Sequence, residues 1–141
     1  MTQIKRVRVI CRDHRGAVLL MRWHDLVNGR EFWEPPGGGI ERGESPHDAA
    51  VRELFEETSL AVPVPAHSIP VERAYEWMGK QYRHTEAFFA VEVTSTDVAL
   101  AAPTATELAT FVEMRFVSPA EVGALAQPLE PPTLVEILAT I

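Results

Sequence analysis

The sequence predicts an α+β domain, and three observations carry that prediction. Val/Ile-rich runs bounded by turn residues recur along the chain, Ser-Pro signatures open helical segments between them, and 46% of the 141 residues are hydrophobic. That is one domain's length with enough apolar material for a single core. Folding at this size removes roughly two-thirds of the unfolded surface from water. The chain shows neither an internal repeat nor a low-complexity tract.

Residues 4–11 mix Arg6 and Arg8 into a Val/Ile-rich run, and Asp13-His14-Arg15-Gly16 reads as a turn before Ala17–Met21, so a strand hairpin is predicted. Cys11 at the end of the first strand reads as a small buried apolar residue. Trp23–Glu34 is polar around Asn28-Gly29 and is predicted as a loop leading to a short strand at Phe32-Trp33. Pro35-Pro36-Gly37-Gly38-Gly39 excludes a helix and makes a poor strand interior, since two residues lack an amide donor and three lack a side chain. Ser45-Pro46-His47-Asp48 opens a helix to about Thr58, with Ser45 as N-cap, Pro46 in the first turn and Asp48 near the positive end of the dipole. Val71–Trp77, Tyr82–Val93 and Phe111–Val117 follow as strands, Ser118-Pro119-Ala120-Glu121 opens a second helix to about Ala126, and Leu134, Ile137, Leu138 and Ile141 mark an amphipathic last helix.

Thirteen Lys and Arg against twenty Asp and Glu give a net charge of -7, which argues against a nucleic-acid polymer or an anionic membrane as partner. One cysteine excludes an internal disulfide framework, and the five histidines show no paired ligand spacing. The polar start Met1–Arg6 is followed by no secretion-type apolar block, and no apolar run is long enough to span a bilayer, so a soluble, cytoplasmic protein is expected.

On a helical wheel Ala50, Val51, Leu54, Phe55 and Thr58 share one side of the first helix, with Glu53, Glu56 and Glu57 opposite. Like charges at i, i+3 and i+4 repel. Arg52 can pair with Glu56, but one guanidinium cannot neutralise three glutamates and nearby Glu44. Such a face is either solvated or held by a divalent cation, which takes hard oxygens from carboxylates and phosphates together. The unobstructed glycine backbone beside it favours the cation.

From Gly38 the chain reads GGIERGESPHDAAVRELFEETSL. This resembles the Nudix box: Gly38, five residues, Glu44, seven residues, Arg52-Glu53-Leu54, one residue, Glu56-Glu57, one residue, then Ser59 where the family has Gly, and Leu60. A chance match at the polar and glycine positions is on the order of 10⁻⁵. The hairpin, Trp33 before Pro36-Gly37-Gly38, and Arg115-Phe116-Val117 before a capped helix extend the likeness over most of the chain. Ser59 at a left-handed helix end would cost roughly 1–2 kcal/mol.

The resemblance implies a single Nudix hydrolase domain over residues 1–141, with a mixed β-sheet sandwiched between α-helices. It further implies a Mg²⁺- or Mn²⁺-dependent hydrolase cleaving the diphosphate linkage of a small nucleotide, a (d)NTP or modified nucleotide, by water attack. Metal ligands would be Glu53, Glu56, Glu57 and the Gly38 carbonyl. Glu53 would serve as base, Arg52 would orient carboxylates, and Glu44 would support them. Some members draw the base from a loop outside the box, for which Glu107 is the candidate. Arg22, Trp23, Arg30, Tyr75, Trp77, Arg83 and His84 are candidates for holding base or phosphates. Where ADP-ribose-preferring members carry a proline, this chain has Glu76. Family habit suggests a homodimer. The alternatives are a non-catalytic nucleotide-binding module of the same fold and a domain whose acidic helix only solubilises it.

Overall fold

The computed structural model describes residues 3–141. Met1 and Thr2, which begin the polar amino-terminal stretch, lie outside the described residues. The elements run β1 (Ile4–Arg12), β2 (Val18–His24), β3 (Glu31–Glu34), β4 (Gly37–Gly39), α1 (Pro46–Thr58), β5 (Ser68–Trp77), β6 (Lys80–Glu92), α2 (Ala105–Thr110), β7 (Phe111–Val117), α3 (Pro119–Val122) and α4 (Leu134–Thr140). The mixed sheet follows the path β3-β2-β1-β6-β5, with β4 added to β1 and β7 to β2. Among the named strands of the described residues only β1 and β6 pair in parallel.

Strand alternation divides the core. Val7, Val9 and Cys11 of β1 and Ala87, Phe89 and Val91 of β6 pack with Ala49, Ala50 and Leu54 of α1 on one face. Ile10, Leu20 and Phe88 meet Val122, Leu134 and Ile137 of α3 and α4 on the other. On this second face the strands change character along their length. Ile10 and Phe88 are apolar at the α4 end, whereas Arg8 and Glu86, two positions along, are buried charges. Burial pushes the Cys11 thiol up to about 12, which leaves it an inert core group.

Several sequence expectations need correction. Trp23 and His24 belong to β2 rather than to a loop, because Trp23 pairs with both Phe32 and Phe111. Gly37–Gly39 is a strand after all, paired with β1 so closely that a Cβ on Gly37 would stand 2.0 Å from the Val7 carbonyl oxygen. β5 starts at Ser68 and β6 at Lys80, around a tighter turn than expected. The helix after Ser118 is only four residues long. Residues 105–110 form α2, closed at its start by reciprocal bonds between Thr104 and Glu107. The Thr-x-x-Glu spacing was the missed signal. In α1, Val51 and Phe55 are exposed at 40% and 47%, whereas Glu53 and Glu57 are buried.

Ser59 does adopt the left-handed conformation, φ 68° and ψ 8°. Its hydroxyl donates to the Ala99 carbonyl at 2.6 Å, a bond glycine could not make, which offsets part of the steric cost.

The sheet curls until its two ends meet. Phe32 of β3 and Trp77 of β5 touch edge to face at 5.6 Å. Asp25, 1% exposed, fastens this closure by accepting from the amides of Val27, Asn28 and Met78, the last at the β5–β6 turn. Residues 128–130 complete it by lying along β3, where Trp33 donates to the Pro128 carbonyl and Glu130 to the Trp33 carbonyl. Asp25→Ala strands three amides and is expected to cost about 2–3 kcal/mol, read as a shifted urea midpoint. A loss below about 0.5 kcal/mol would show that the clamp carries no load.

Candidate active site

The local sequence builds the site in two steps. Ser45 accepts from the Asp48 amide at 3.0 Å and starts α1 with Pro46 in its first turn. Helical spacing then puts Arg52 among the acids. Its guanidinium donates to both Glu44 carboxylate oxygens at 2.8 and 2.9 Å, to Glu53 at 2.9 Å, to Glu56 at 3.2 Å and to the Gly39 carbonyl at 2.9 Å. Arg52 therefore ties α1 to the glycine strand as well as linking the three carboxylates to one cation. Its bond pulls the Glu44 carboxyl below the usual range against a smaller effect of burial.

Glu53 and Glu57 are one turn apart and both line a cleft of about 330 Å³. The glycines of β4 let them in. A Cβ on Gly38 would meet the Glu53 carboxylate at 2.5 Å. Gly37 N–H donates to Glu57 at 2.7 Å. Burial raises the Glu53 carboxyl above the usual range despite Arg52, and the Glu56 and Glu107 charges add to the rise. It lifts Glu57 further, against the Gly37 amide and the Arg8 charge.

The wall facing them is a chain of ion pairs, buried except at Arg30. Arg8 reaches Glu34 at 3.1 Å and Glu86 at 3.4 Å, Arg73 reaches Glu86 at 2.7 Å and Glu130 at 3.2 Å, and Arg30 reaches Glu130 at 2.7 Å. Burial also raises the Glu34 carboxyl, outweighing Arg8. Arg6 stands 3.7 Å from Glu86 through a buried Nε that makes no hydrogen bond, while its side chain is 34% exposed and lines the cleft. Four arginines and six glutamates line the cleft. A polyanion entering it needs added positive charge.

Of the residues singled out in the sequence, Gly38, Glu53, Glu57, Trp23, Arg30, Tyr75, Trp77 and Glu107 line this cleft. Glu107 is half-buried on α2 rather than in a loop. Arg22 is not brought there: it pairs with Glu113 at 2.8 Å and lies over the Trp33 ring. Arg83 is exposed on β6 beside a separate shallow pocket, which His84 also lines. His84 hydrogen-bonds Glu86 at 2.9 Å. Sequence reasoning passed over Arg6, Arg8, Glu34, Arg73, Glu86 and Glu130. Arg6 and Arg8 carried a signal in their i, i+2 spacing within an apolar strand; the others become neighbours only through the curl of the sheet.

The three box glutamates do not converge as they stand. Among the described residues no group of three or more His, Cys, Asp or Glu is gathered closely enough to hold an ion. Glu56 is turned to Arg52. The donor chemistry nevertheless suits a hard divalent cation: two buried carboxylates with raised proton affinity beside a glycine whose missing side chain leaves room for the Glu53 carboxylate.

The family model described as a NUDIX domain matches residues 2–139. An RNA pyrophosphohydrolase of Azorhizobium caulinodans is 36% identical over 80 residues, 50% of this chain and 48% of that protein, so the match spans about half the relative's length. One from Cereibacter sphaeroides is 30% identical over 89% of this chain and 86% of its own. Among solved structures, a MutT protein from Methanosarcina mazei has a TM-score of 0.66 at 23% identity, covering 97% and 93% of the two chains. The E. coli dihydroneopterin triphosphate pyrophosphohydrolase has 0.66 at 15% identity, covering 99% and 98%. These two structural likenesses are of fold.

The ion-pair wall sets a pH dependence of its own. Burial alone would raise the Glu86 carboxyl, but Arg8, Arg73, the His84 hydrogen bond and Arg6 bring it down to about 2. A carboxyl depressed on folding stabilises the protein above its unfolded value of about 4.5, and that stabilisation is lost as the pH falls from there toward 2. Urea midpoints measured across this window are expected to drop for the wild type and to fall less steeply for Glu86→Gln. Parallel curves would remove Glu86 from the acid response.

Proposed function

This chain belongs to the Nudix family, and on that premise we propose that it is a metal-dependent pyrophosphohydrolase. It cleaves the diphosphate linkage of a free (d)NTP or modified nucleotide, and residues 1–141 act as one domain. One observation carries the reading: Glu53 and Glu57 line the cleft as buried carboxylates that the four arginines beside them do not neutralise.

Glu53, Glu56, Glu57 and the Gly38 carbonyl are the groups that would hold Mg²⁺ or Mn²⁺. When bound, such an ion neutralises substrate charge and makes water more acidic. Arg52 keeps Glu44, Glu53 and Glu56 in register. Arg6, a partly exposed cation lining the cleft, meets phosphate oxygen. As the new O–P bond forms and the bridging P–O bond breaks, the proton of water passes to a carboxylate. Glu53 is the first choice for that base and Glu107, also in the cleft, the second.

The relatives named for RNA and for dihydroneopterin triphosphate share an organic group joined to a phosphate chain. A cleft of about 330 Å³ is near the small end of ligand sites and suits one nucleotide rather than a polymer. Phosphate and pyrophosphate release is to be measured with Mg²⁺ on nucleoside triphosphates, oxidised guanine forms, dinucleoside polyphosphates, ADP-ribose, NADH and 5′-triphosphorylated RNA. Turnover of at least one free nucleotide is expected. Glu57→Gln should lower it by at least about a hundredfold, and turnover within twofold of wild type with unchanged Mg²⁺ dependence would refute the role of the cluster. Thermal unfolding provides a second check. Mg²⁺ with a non-hydrolysable nucleotide at a hundred times its dissociation constant should add about 2.7 kcal/mol, and an unmoved transition at all concentrations would count against a site.

A further inference from the structure

Ser59 follows Glu57 by two residues, at the position where this box departs from the family pattern. Its backbone is left-handed, φ 68°, a conformation that glycine adopts freely, so the side chain sits there at a steric cost. The hydroxyl donates to the Ala99 carbonyl at 2.6 Å. Three main-chain bonds cross the same junction. The Ala99 amide donates to the Thr58 carbonyl at 3.1 Å, and the Ala101 and Ala102 amides donate to the Glu56 carbonyl at 2.8 and 3.1 Å. These carbonyls belong to the last turn of α1 and have no partners within the helix. Ala99 is thus gripped through its amide by Thr58 and through its carbonyl by Ser59.

The strap so fastened leads to Glu107. Val98 packs on the core beneath α1, and Leu100 packs toward Met21, Trp23 and Phe32. Thr104 then accepts from the Glu107 amide at 3.1 Å, while its own amide donates to a Glu107 carboxylate oxygen at 2.8 Å. The same Glu107 side chain lines the cleft with Glu53 and Glu57, and its charge contributes to the raised proton affinity of both. The six residues of α2 run directly into β7 at their far end. At the near end the strap is what ties α2 to α1.

We propose that Ser59 is a positioning residue: by holding the Ala99 carbonyl it sets the placement of α2, and with it the separation of the Glu107 carboxylate from Glu53 and Glu57. This deepens the pyrophosphohydrolase reading and rests on its assignment of Glu107 to the reaction. Ser59 itself touches no reacting atom and acts through Ala99 and Thr104. Glycine at this position relieves the backbone and leaves the three main-chain bonds in place, so α1 still ends where it does while the strap gains freedom. A purely structural role for the hydroxyl therefore predicts unchanged turnover in Ser59→Gly.

The test compares the wild type with Ser59→Gly, Glu107→Gln and the double variant. Glutamine at 107 can still accept from the Thr104 amide, so Glu107→Gln keeps the cap and removes the charge. In the metal-free, ¹⁵N-labelled protein, Ser59→Gly is expected to speed exchange of the Thr104 amide about fivefold, with the β1 amides unchanged. Unaltered exchange at Thr104 overturns the inference, and so does a rise shared equally by β1, which marks general loosening. Turnover is then measured with Mg²⁺ on nucleoside triphosphates, dinucleoside polyphosphates and ADP-ribose. On whichever of these the wild type cleaves, Ser59→Gly is expected to lower kcat about fivefold with KM within about twofold, and to lower it no further in the Glu107→Gln background. Wild-type kcat in Ser59→Gly, an equal loss in both backgrounds, or a Glu107→Gln protein as active as the wild type overturns the inference. If none of the probes is hydrolysed, the hydrolase reading fails, and exchange at Thr104 alone decides whether Ser59 holds the strap.

Discussion

Keeping two carboxylates out of water is the constraint around which this molecule is arranged. A buried carboxyl favours its proton, and Glu53 and Glu57 both do so here. They can be tolerated because α1 is fastened on either side of them. Arg52 bonds Glu53 and the Gly39 carbonyl, and Gly37 N–H bonds Glu57. The Arg52–Gly39 and Gly37–Glu57 contacts cross from helix to glycine strand, so the groups that soften the desolvation of the acids also dock the helix. Ala49, Ala50 and Leu54 supply the apolar remainder of that docking.

The opposite wall solves a related problem by a different route. Arg8, Arg73 and Arg30 alternate with Glu34, Glu86 and Glu130, so each buried charge has a neighbour of opposite sign. Such a chain adds little net stability compared with apolar packing, while the loss of Arg8 leaves the Glu34 carboxylate without its ion-pair partner. It earns its place by fixing guanidinium positions around a space where a phosphate chain could lie. Arg6 stays partly exposed in the cleft, and that difference separates a structural arginine from one available to a ligand.

Local chemistry was readable in the sequence and long-range curvature was not. Ser45, Pro46 and the apolar spacing located α1 almost to the residue, because caps and periodicity act over a single turn. The wheel failed at Val51 and Phe55: it sorts side chains by polarity, whereas α1 turns Glu53 and Glu57 toward the glycine strand. The box identified the acids without revealing that Arg52 bonds Glu53 and Glu56 through one nitrogen while Glu57 is held by the Gly37 amide. Arg73 and Glu130 are 57 residues apart and meet only because the sheet rolls β5 toward the segment beside β3. Arg22, plausible by type, points elsewhere because its strand position places it against Glu113 and Trp33.

The segment 128–130 beside β3 ties the carboxyl-terminal tail to the cleft. By occupying the outer edge of β3 it denies that edge to a strand from another molecule. By carrying Glu130 to Arg30 and Arg73 it also makes two cleft arginines depend on the tail's attachment. Release of this segment would therefore strip both arginines of a shared counter-charge, so the cleft and the tail share one attachment.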